Sequence, residues 1–260
     1  MDAVASVISP VAESIRALRA RVSLPDSQQR VIPLGLPEID AALPDGGLPR
    51  GAVVEIASVQ GLGQATALLL RLCASAQKEA CLRGGEPAWC AWLDPSATLY
   101  APGVASLGVA LDRLLVVRPP LEAISRIAVR LVASRVFSVV VIDTVGVPGA
   151  AVATPLHRWS TVLRRLALAA EGGDSCVVLL SERAQSRSAG LPVALRVELE
   201  HCTPETLRLH VVKERRGRVS SPRELAYGSL PYAVARSPEV SIRPVAPSPS
   251  VNAPTLRCAG

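Results

Sequence analysis

The chain has 260 residues, of which 49% are hydrophobic and 3% aromatic, and 28 basic against 22 acidic residues give a formal charge of +6. Such a composition supplies a core of Ala, Val, Leu and Ile, typical of helices packed on a parallel sheet. The apolar stretches are too short for a membrane span, and no signal-peptide pattern opens the chain. The mild positive charge permits a nucleic-acid partner without requiring one.

The six cysteines follow no metal-ligand spacing. We interpret them as buried hydrophobic residues in a reducing cytoplasm, and we expect neither a metal nor a cofactor. Their positions are Cys73, Cys81, Cys90, Cys176, Cys202 and Cys258.

The N-terminal 29 residues predict a helix over Ala3–Val22 and a linker over Ser23–Gln29, because apolar residues recur there at helical spacing. Two alternatives stay open: an arm that binds a partner or a second copy, and a helix that packs on its own domain. The residues of the candidate arm are Ile8, Ile15, Arg16, Leu18 and Arg19.

A short helix over Pro37–Ala42 is followed by a glycine-rich turn and a strand over Ala52–Ala57. A loop that carries Gly61 and Gly63 leads into an apolar helix over Ala65–Gln77. The order strand, glycine loop, helix is the layout of a phosphate-binding loop.

Helices and apolar strands alternate through the remaining chain, which predicts an α/β domain over residues 30–230 with a mostly parallel sheet. An alternating pair of strands near the end predicts an antiparallel edge, and the Pro- and Ser-rich residues 231–260 predict a disordered tail. The predicted strands are Ala88–Leu93, Leu114–Val117, Val136–Ile142, Cys176–Leu180, Leu195–Glu200 and Thr206–Val212, and the predicted helices are Leu121–Ser134 and Leu156–Ala170.

The glycine loop lacks the groups that phosphoryl transfer needs. A working loop reads G-x-x-x-x-G-K-[ST], in which the lysine neutralises phosphate charge and the hydroxyl binds Mg²⁺. After Gly63, Gln64 stands at the lysine position and Ala65 at the hydroxyl position. Sliding the register so that Thr66 supplies the hydroxyl would put Ala65 at the lysine position.

The ordered motifs between Val31 and Tyr227 resemble the core of RecA recombinases. The matching segments are GLPEIDAAL, GGLPRGAVVEI, CAWLDPSATLYAPGVASLGVALDRLLVVRP, VFSVVVIDTVGV, CVVLLSERA and LRLHVVKERRGRV. The resemblance implies a RecA-like fold with a twisted sheet flanked by helices.

The same resemblance assigns the altered site residues. Asp94 ends a strand, and Ser96 stands where the water-activating glutamate is expected. Asp143 is the retained Walker B aspartate, for which capping of backbone amides is an alternative role. Glu182 stands where a glutamine sensor is expected.

A basic cluster near the end of the domain has two interpretations. The resemblance places Lys213 and Arg215 where two lysines reach a neighbouring subunit's nucleotide, and Arg216 and Arg218 extend the cluster. The cluster is also the better electrostatic candidate for weak nonspecific DNA binding, because the segments that correspond to RecA's DNA loops carry only Arg187.

Among RecA relatives without a catalytic site, the chain most resembles the ImuA family. That resemblance implies an SOS-induced, non-enzymatic accessory factor of translesion synthesis that binds an ImuB-type polymerase relative, the translesion polymerase complex and RecA. Two alternatives remain: a SulA-like inhibitor of cell division, and an unorthodox ATPase that uses Thr66 and Asp143, with Lys213 or Arg215 supplied in trans.

Overall fold

A computed structural model of the chain describes residues 30–58, 64–145, 159–183, 190–203 and 205–226. The predicted N-terminal helix and the C-terminal tail lie outside these residues. The helices and strands follow one another as β1 (Val31–Ile32), α1 (Pro37–Ala42), β2 (Leu48–Pro49), β3 (Ala52–Ser58), α2 (Gln64–Leu82), β4 (Trp89–Leu93), α3 (Ala101–Ser106), β5 (Leu114–Val117), α4 (Ile124–Ala133), β6 (Phe137–Asp143), α5 (Trp159–Ala170), β7 (Cys176–Glu182), β8 (Leu195–Thr203), β9 (Thr206–Glu214) and β10 (Arg223–Ala226).

Eight strands form one sheet in the order β10-β9-β8-β3-β7-β6-β4-β5, and β1 and β2 form a separate antiparallel pair. In the part of the sheet that runs from β8 to β5, each strand is parallel to its neighbours. β9 pairs antiparallel with both β8 and β10. The predicted α/β class, with a mostly parallel sheet and an antiparallel end, is therefore confirmed. The predicted pair of strands does not itself form the edge, because β10 lies outside it.

The sheet is buried on both faces because its central strands are continuous apolar runs. Alternate residues of β3 point to opposite layers, with Val54 in one buried cluster and Val53 in the other. Helices α1, α2 and α3 cover the first cluster, in which Trp92 is fully buried. Helices α4 and α5 cover the second, and they contact each other as well as the sheet.

Arg50 joins three distant parts of the chain just before β3. Its guanidinium binds Glu79 in α2 at 2.6 Å and Asp174, ahead of β7, at 2.9 Å. It also donates to the Asp174 carbonyl at 3.0 Å. Only 5% of the Arg50 side chain is exposed, so these bonds hold a charge that would be costly to bury alone.

Several boundaries differ from the predicted ones for identifiable reasons. Helix α2 continues five residues beyond Gln77, since Glu79 and Arg83 near its end form an i,i+4 ion pair. The first residues predicted for α4 form a 3₁₀ turn over Leu121–Ala123. Helix α3 and strand β10 were not predicted, because both are short and lack a clear apolar period. No helix in the described ranges has the length and apolar character to cross a membrane.

Candidate functional site

The candidate site lies at the carboxyl ends of the parallel strands. β3, β7, β6 and β4 are consecutive neighbours, and their ends bring Asp94, Asp143 and Glu182 to one edge of the sheet. Gln64 begins α2, which follows β3 at the same edge. In open α/β sheets this edge is where ligands bind. The structure thus places the four predicted positions together.

At the start of α2, the side chains at the two motif positions supply neither a positive charge nor a metal-binding hydroxyl. Ala65 is 2% exposed and belongs to the core cluster, so the hydroxyl position of a working loop is an apolar contact here. Gln64 keeps a buried side-chain oxygen that accepts no hydrogen bond from the described residues. Thr66 is half-buried in the first turn of the helix. Gly61 and Gly63 lie outside the described residues.

Asp94 holds the loop that follows β4. Its carboxylate is fully buried and accepts hydrogen bonds from the Thr98 amide at 2.9 Å, the Thr98 hydroxyl at 3.0 Å and the Leu99 amide at 3.0 Å. The Arg118 guanidinium lies 3.9 Å away. The oxygens of Asp94 are therefore committed to the backbone of their own loop.

Ser96 lies within that loop, at the position of the expected glutamate. Its hydroxyl is buried and has no hydrogen-bond partner in the described residues. A neutral hydroxyl cannot accept a proton from water as a carboxylate does. The loop therefore supplies no general base at this position.

Asp143 caps the residues that follow β6. Its Oδ1 atom accepts a hydrogen bond from the Val145 amide at 2.9 Å, while the neighbouring Thr144 hydroxyl donates to the Leu180 carbonyl at 2.7 Å. This geometry matches the capping role given as the alternative for Asp143.

The charge of Asp143 is suppressed. Burial raises the pKa of its carboxyl from 3.8 to about 7, and the negative charge of Asp94 acts in the same direction. The hydrogen bond from the Val145 amide partly opposes this effect. At neutral pH the carboxyl is consequently only about half ionised, which weakens it as a cation ligand.

Glu182 ends β7 directly opposite Ser58, the last residue of β3. It therefore lies beside the connection between β3 and α2, where a phosphate-binding loop would hold its ligand. A carboxylate at this point repels a phosphate, whereas the amide of the expected glutamine could donate to one.

A buried polar network beneath this edge went undetected in the sequence. The Ser181 hydroxyl donates to Glu55 at 2.7 Å, and Arg196 lies 3.8 Å from Glu55 and 3.0 Å from Glu198. All four side chains are buried. The sequence feature that could have predicted this network is the glutamate inside the apolar segment AVVEIAS. A charged residue in a buried strand needs a partner, because burying an unpaired charge is costly.

The predicted basic cluster lies near the amino ends of the parallel strands, opposite the candidate site at their carboxyl ends. This follows because the end of β9 pairs with the beginning of β8. Most of its cationic side chains form hydrogen bonds or ion pairs with other groups of the same chain. Lys213 donates to the Leu191 carbonyl at 2.9 Å, and Arg218 binds both oxygens of Asp45 at 2.7 and 2.6 Å. Arg216 approaches Asp45 at 3.8 Å, and the hydrogen bond from Arg218 lowers the pKa of that carboxyl. Arg215 is exposed, and its side chain forms no hydrogen bond or ion pair with the other described residues.

The other predicted positions fall outside the described residues. They are the arm residues Ile8, Ile15, Arg16, Leu18 and Arg19, most of residues 144–154, and residues 184–189 with Arg187.

The known proteins that this chain resembles are named RecA or a homolog of RecA. The chain is 35% identical over 164 residues to Protein RecA of Caldanaerobacter subterraneus subsp. tengcongensis, which covers 58% of this chain and 46% of the relative. It is 34% identical over 181 residues to Protein RecA of Geobacter metallireducens, with 65% and 50% covered. A match to the mitochondrial DNA repair protein recA homolog of Dictyostelium discoideum is 40% identical over 116 residues, with 44% and 24% covered.

These matches span half or less of each relative's length. The RecA N-terminal domain family matches residues 13–158, more than half of this chain, and the match includes β3, β4 and β6 of the candidate edge. The chain therefore belongs to the RecA N-terminal domain family.

Proposed function

We propose that this chain is a non-catalytic member of the RecA family that acts by binding proteins in DNA repair, as an ImuA-type accessory factor of SOS-induced translesion synthesis. Its proposed partners are an ImuB-type relative of the Y-family polymerases, within the translesion polymerase complex, and RecA. The observation that carries the proposal is that four positions at one sheet edge lack the groups that phosphoryl transfer uses: Gln64, Ala65, Ser96 and Glu182.

The size of the lost effects supports this proposal. Removing one group that stabilises charge in a transition state costs about 3 to 4 kcal/mol, and the lysine and metal-binding hydroxyl positions are both changed. The glutamate position holds the neutral Ser96. A single replacement could be compensated, but replacements on α2, on the loop after β4 and on β7 would each need a separate remedy.

The two retained aspartates do not favour an unorthodox ATPase. Asp94 binds the backbone of its own loop, and Asp143 is only about half ionised at neutral pH because burial raises its pKa to about 7. Neither offers the free, fully charged carboxylate that a magnesium site with Thr66 would need.

The place in DNA repair rests on family membership and on the resemblance to ImuA. One relative is named a mitochondrial DNA repair protein, and the others are named RecA. We propose direct DNA binding only as a weak, nonspecific property. Lys213 already donates a hydrogen bond to a carbonyl of the same chain, and Arg216 and Arg218 already form ion pairs with Asp45.

Calorimetric titration of the purified chain tests the proposal. We expect no saturable heat with Mg²⁺ and ATP up to about 1 mM, and saturable binding of RecA or of the ImuB-type protein from the same organism. A Gln64→Lys/Ala65→Thr/Ser96→Glu variant provides the matched comparison for the nucleotide arm. Saturable ATP binding by the unmodified chain, with hydrolysis above background, would overturn the proposal. The proposal would also be overturned if the chain bound neither RecA nor the ImuB-type protein.

A further inference from the structure

Helices α4 and α5 carry four arginines and no acidic residue. Arg126 and Arg130 lie one turn apart on α4, while Arg164 and Arg165 are adjacent in the middle of α5. All four are exposed, and none forms a hydrogen bond or ion pair with another described residue. Arg135, just beyond α4, is also exposed and unpaired within the described ranges.

Unpaired arginines are uncommon elsewhere in the described part of the chain, where most of the cations bind carboxylates or carbonyls. The arginines that form ion pairs there are Arg50, Arg83, Arg113, Arg118, Arg183, Arg196, Arg208, Arg216 and Arg218. Nine cations of the described residues thus lack such a partner, and five of them lie on this one layer; the other four are Arg30, Lys78, Arg215 and Arg223.

The geometry makes these arginines one surface, which we name the α4–α5 face. Both helices lie on the same side of the sheet, contact each other, and run in the same direction because each connects two parallel strands. Their buried stripes, which include Ile124 and Ala128 on α4 and Leu163 and Leu166 on α5, face the sheet. The arginines therefore point away from it, on helices about 8 to 10 Å apart.

An apolar residue lies within this basic surface. Leu168 is 70% exposed, four residues after Arg164 and three after Arg165, so it shares their side of α5. An exposed leucine among arginines gives a partner both an apolar contact and several cations. Arginine around an apolar centre is a composition favoured at protein interfaces.

We infer that the α4–α5 face binds an acidic, amphipathic segment of a protein partner, with carboxylates on the four arginines and an apolar side chain on Leu168. The inference rests on the proposed partner-binding function and locates its surface. A single-stranded nucleic acid fits less well, because the one aromatic residue of the two helices, Trp159, is 3% exposed and offers no base a stacking platform.

Two double substitutions test the face on the full-length chain. Arg126→Glu/Arg130→Glu alters α4 and Arg164→Glu/Arg165→Glu alters α5, each with a charge change of −4. The matched control is Lys78→Glu/Arg223→Glu, which makes the same charge change at two exposed positions away from the face. Arg→Gln versions and Leu168→Ala serve as milder variants, and urea midpoints establish that each protein is folded.

Titrations use fluorescently labelled RecA, the ImuB-type protein and a 30-nucleotide single-stranded DNA as probes. We expect each double reversal to weaken binding of at least one protein about tenfold or more relative to the control, with a steep dependence on salt. Leu168→Ala should weaken the same protein a few-fold and leave DNA unaffected.

The other outcomes separate this inference from the proposed function. If the unmodified chain binds a protein and the reversed variants bind it equally well, the inference is wrong while the proposed function stands. If the reversals weaken only DNA binding, the surface is a nucleic-acid site and the inference is overturned. If the unmodified chain binds neither protein, both proposals fail together.

Discussion

Asp94 binds Thr98 twice, accepting one hydrogen bond from its amide at 2.9 Å and another from its hydroxyl at 3.0 Å. A third bond, from the Leu99 amide, uses the other carboxylate oxygen. The carboxylate is fully buried and the bonds it accepts are part-buried, so water can replace them only in part when the side chain is removed. The residue at the sheet edge thus stabilises its own loop.

Replacing Asp94 should therefore cost stability. We expect Asp94→Ala to lower the free energy of unfolding by about 1 to 3 kcal/mol, since it leaves the part-buried amides of Thr98 and Leu99 without their charged acceptor. Asp94→Asn, which keeps one acceptor oxygen, should cost less. Urea denaturation at pH 7 measures both. An Asp94→Ala protein as stable as the unmodified chain would contradict the capping role.

Asp143 should make stability depend on pH. Its folded-state pKa of about 7 exceeds the ordinary value of 3.8, so between these values the native state binds more protons than the unfolded state. The free energy of unfolding then falls as the pH rises from 4 to 7, by at most about 4 kcal/mol from this residue. Asp143→Asn keeps an acceptor for the Val145 amide but cannot titrate.

The measurement is urea denaturation of both proteins from pH 4 to pH 8. The unmodified chain should lose stability relative to Asp143→Asn as the pH rises, and the difference should level off only toward pH 8, above the folded-state pKa of about 7. Other carboxyl groups are common to both proteins and cancel in the difference. A constant difference across the range would show that the carboxyl titrates near its ordinary pKa.

Removing the buried Arg50 should be far more harmful than removing an exposed arginine that shares one of its partners. Arg50→Ala should cost about 2 to 3 kcal/mol, less than a fully buried pair because Glu79 and Asp174 remain 26% and 52% exposed. Arg83 pairs with the same Glu79 but is 64% exposed, so Arg83→Ala should cost less than about 1 kcal/mol. Thermal or urea unfolding of the two variants checks the ratio, and equal losses would contradict the difference in burial.

Two neighbouring cations of the basic cluster should respond in different ways. Arg218→Ala should cost about 1 kcal/mol, because it breaks a bidentate bond to Asp45, discounted for its 40% exposure. Arg215→Ala should leave stability unchanged, since that side chain has no partner in the described residues. If Arg215 contacts DNA or a partner, its loss should weaken binding while that of Arg218 should not; an unfolding scan and a DNA titration separate the two effects.

The layered fold was predictable because the strands with the longest apolar runs are also the most buried. β6 contains the four-residue apolar run VVVI and β7 the run VVLL, and strands with such runs are typical of a parallel sheet covered on both faces. β10 was not predictable, since the polar sequence RELA becomes a strand through its pairing with β9. Tertiary pairing therefore decided what local pattern could not.

At the candidate site the sequence showed which groups were replaced but not what the retained ones do. The capping of Val145 by Asp143 was proposed as an alternative, and the structure contains that bond. The three bonds of Asp94 go to residues only four and five positions later, but the apolar and polar pattern does not show that the loop turns back onto the carboxylate. The charge of Arg218 is paired with Asp45, 173 positions away along the chain. No spacing rule connects such distant positions.

The central position of β3 constrains how the chain can be shortened or synthesised. Both of its neighbours, β7 and β8, begin more than 100 residues later, and both lie beyond residue 158, where the family match ends. Until Leu195 and the residues after it have emerged from the ribosome, β3 lacks a partner on at least one side. An unpaired strand of sequence AVVEIAS invites pairing with other chains. A fragment that stops at the end of the matched family domain would therefore leave the backbone groups of β3 unpaired. We expect such a fragment to aggregate through this exposed strand.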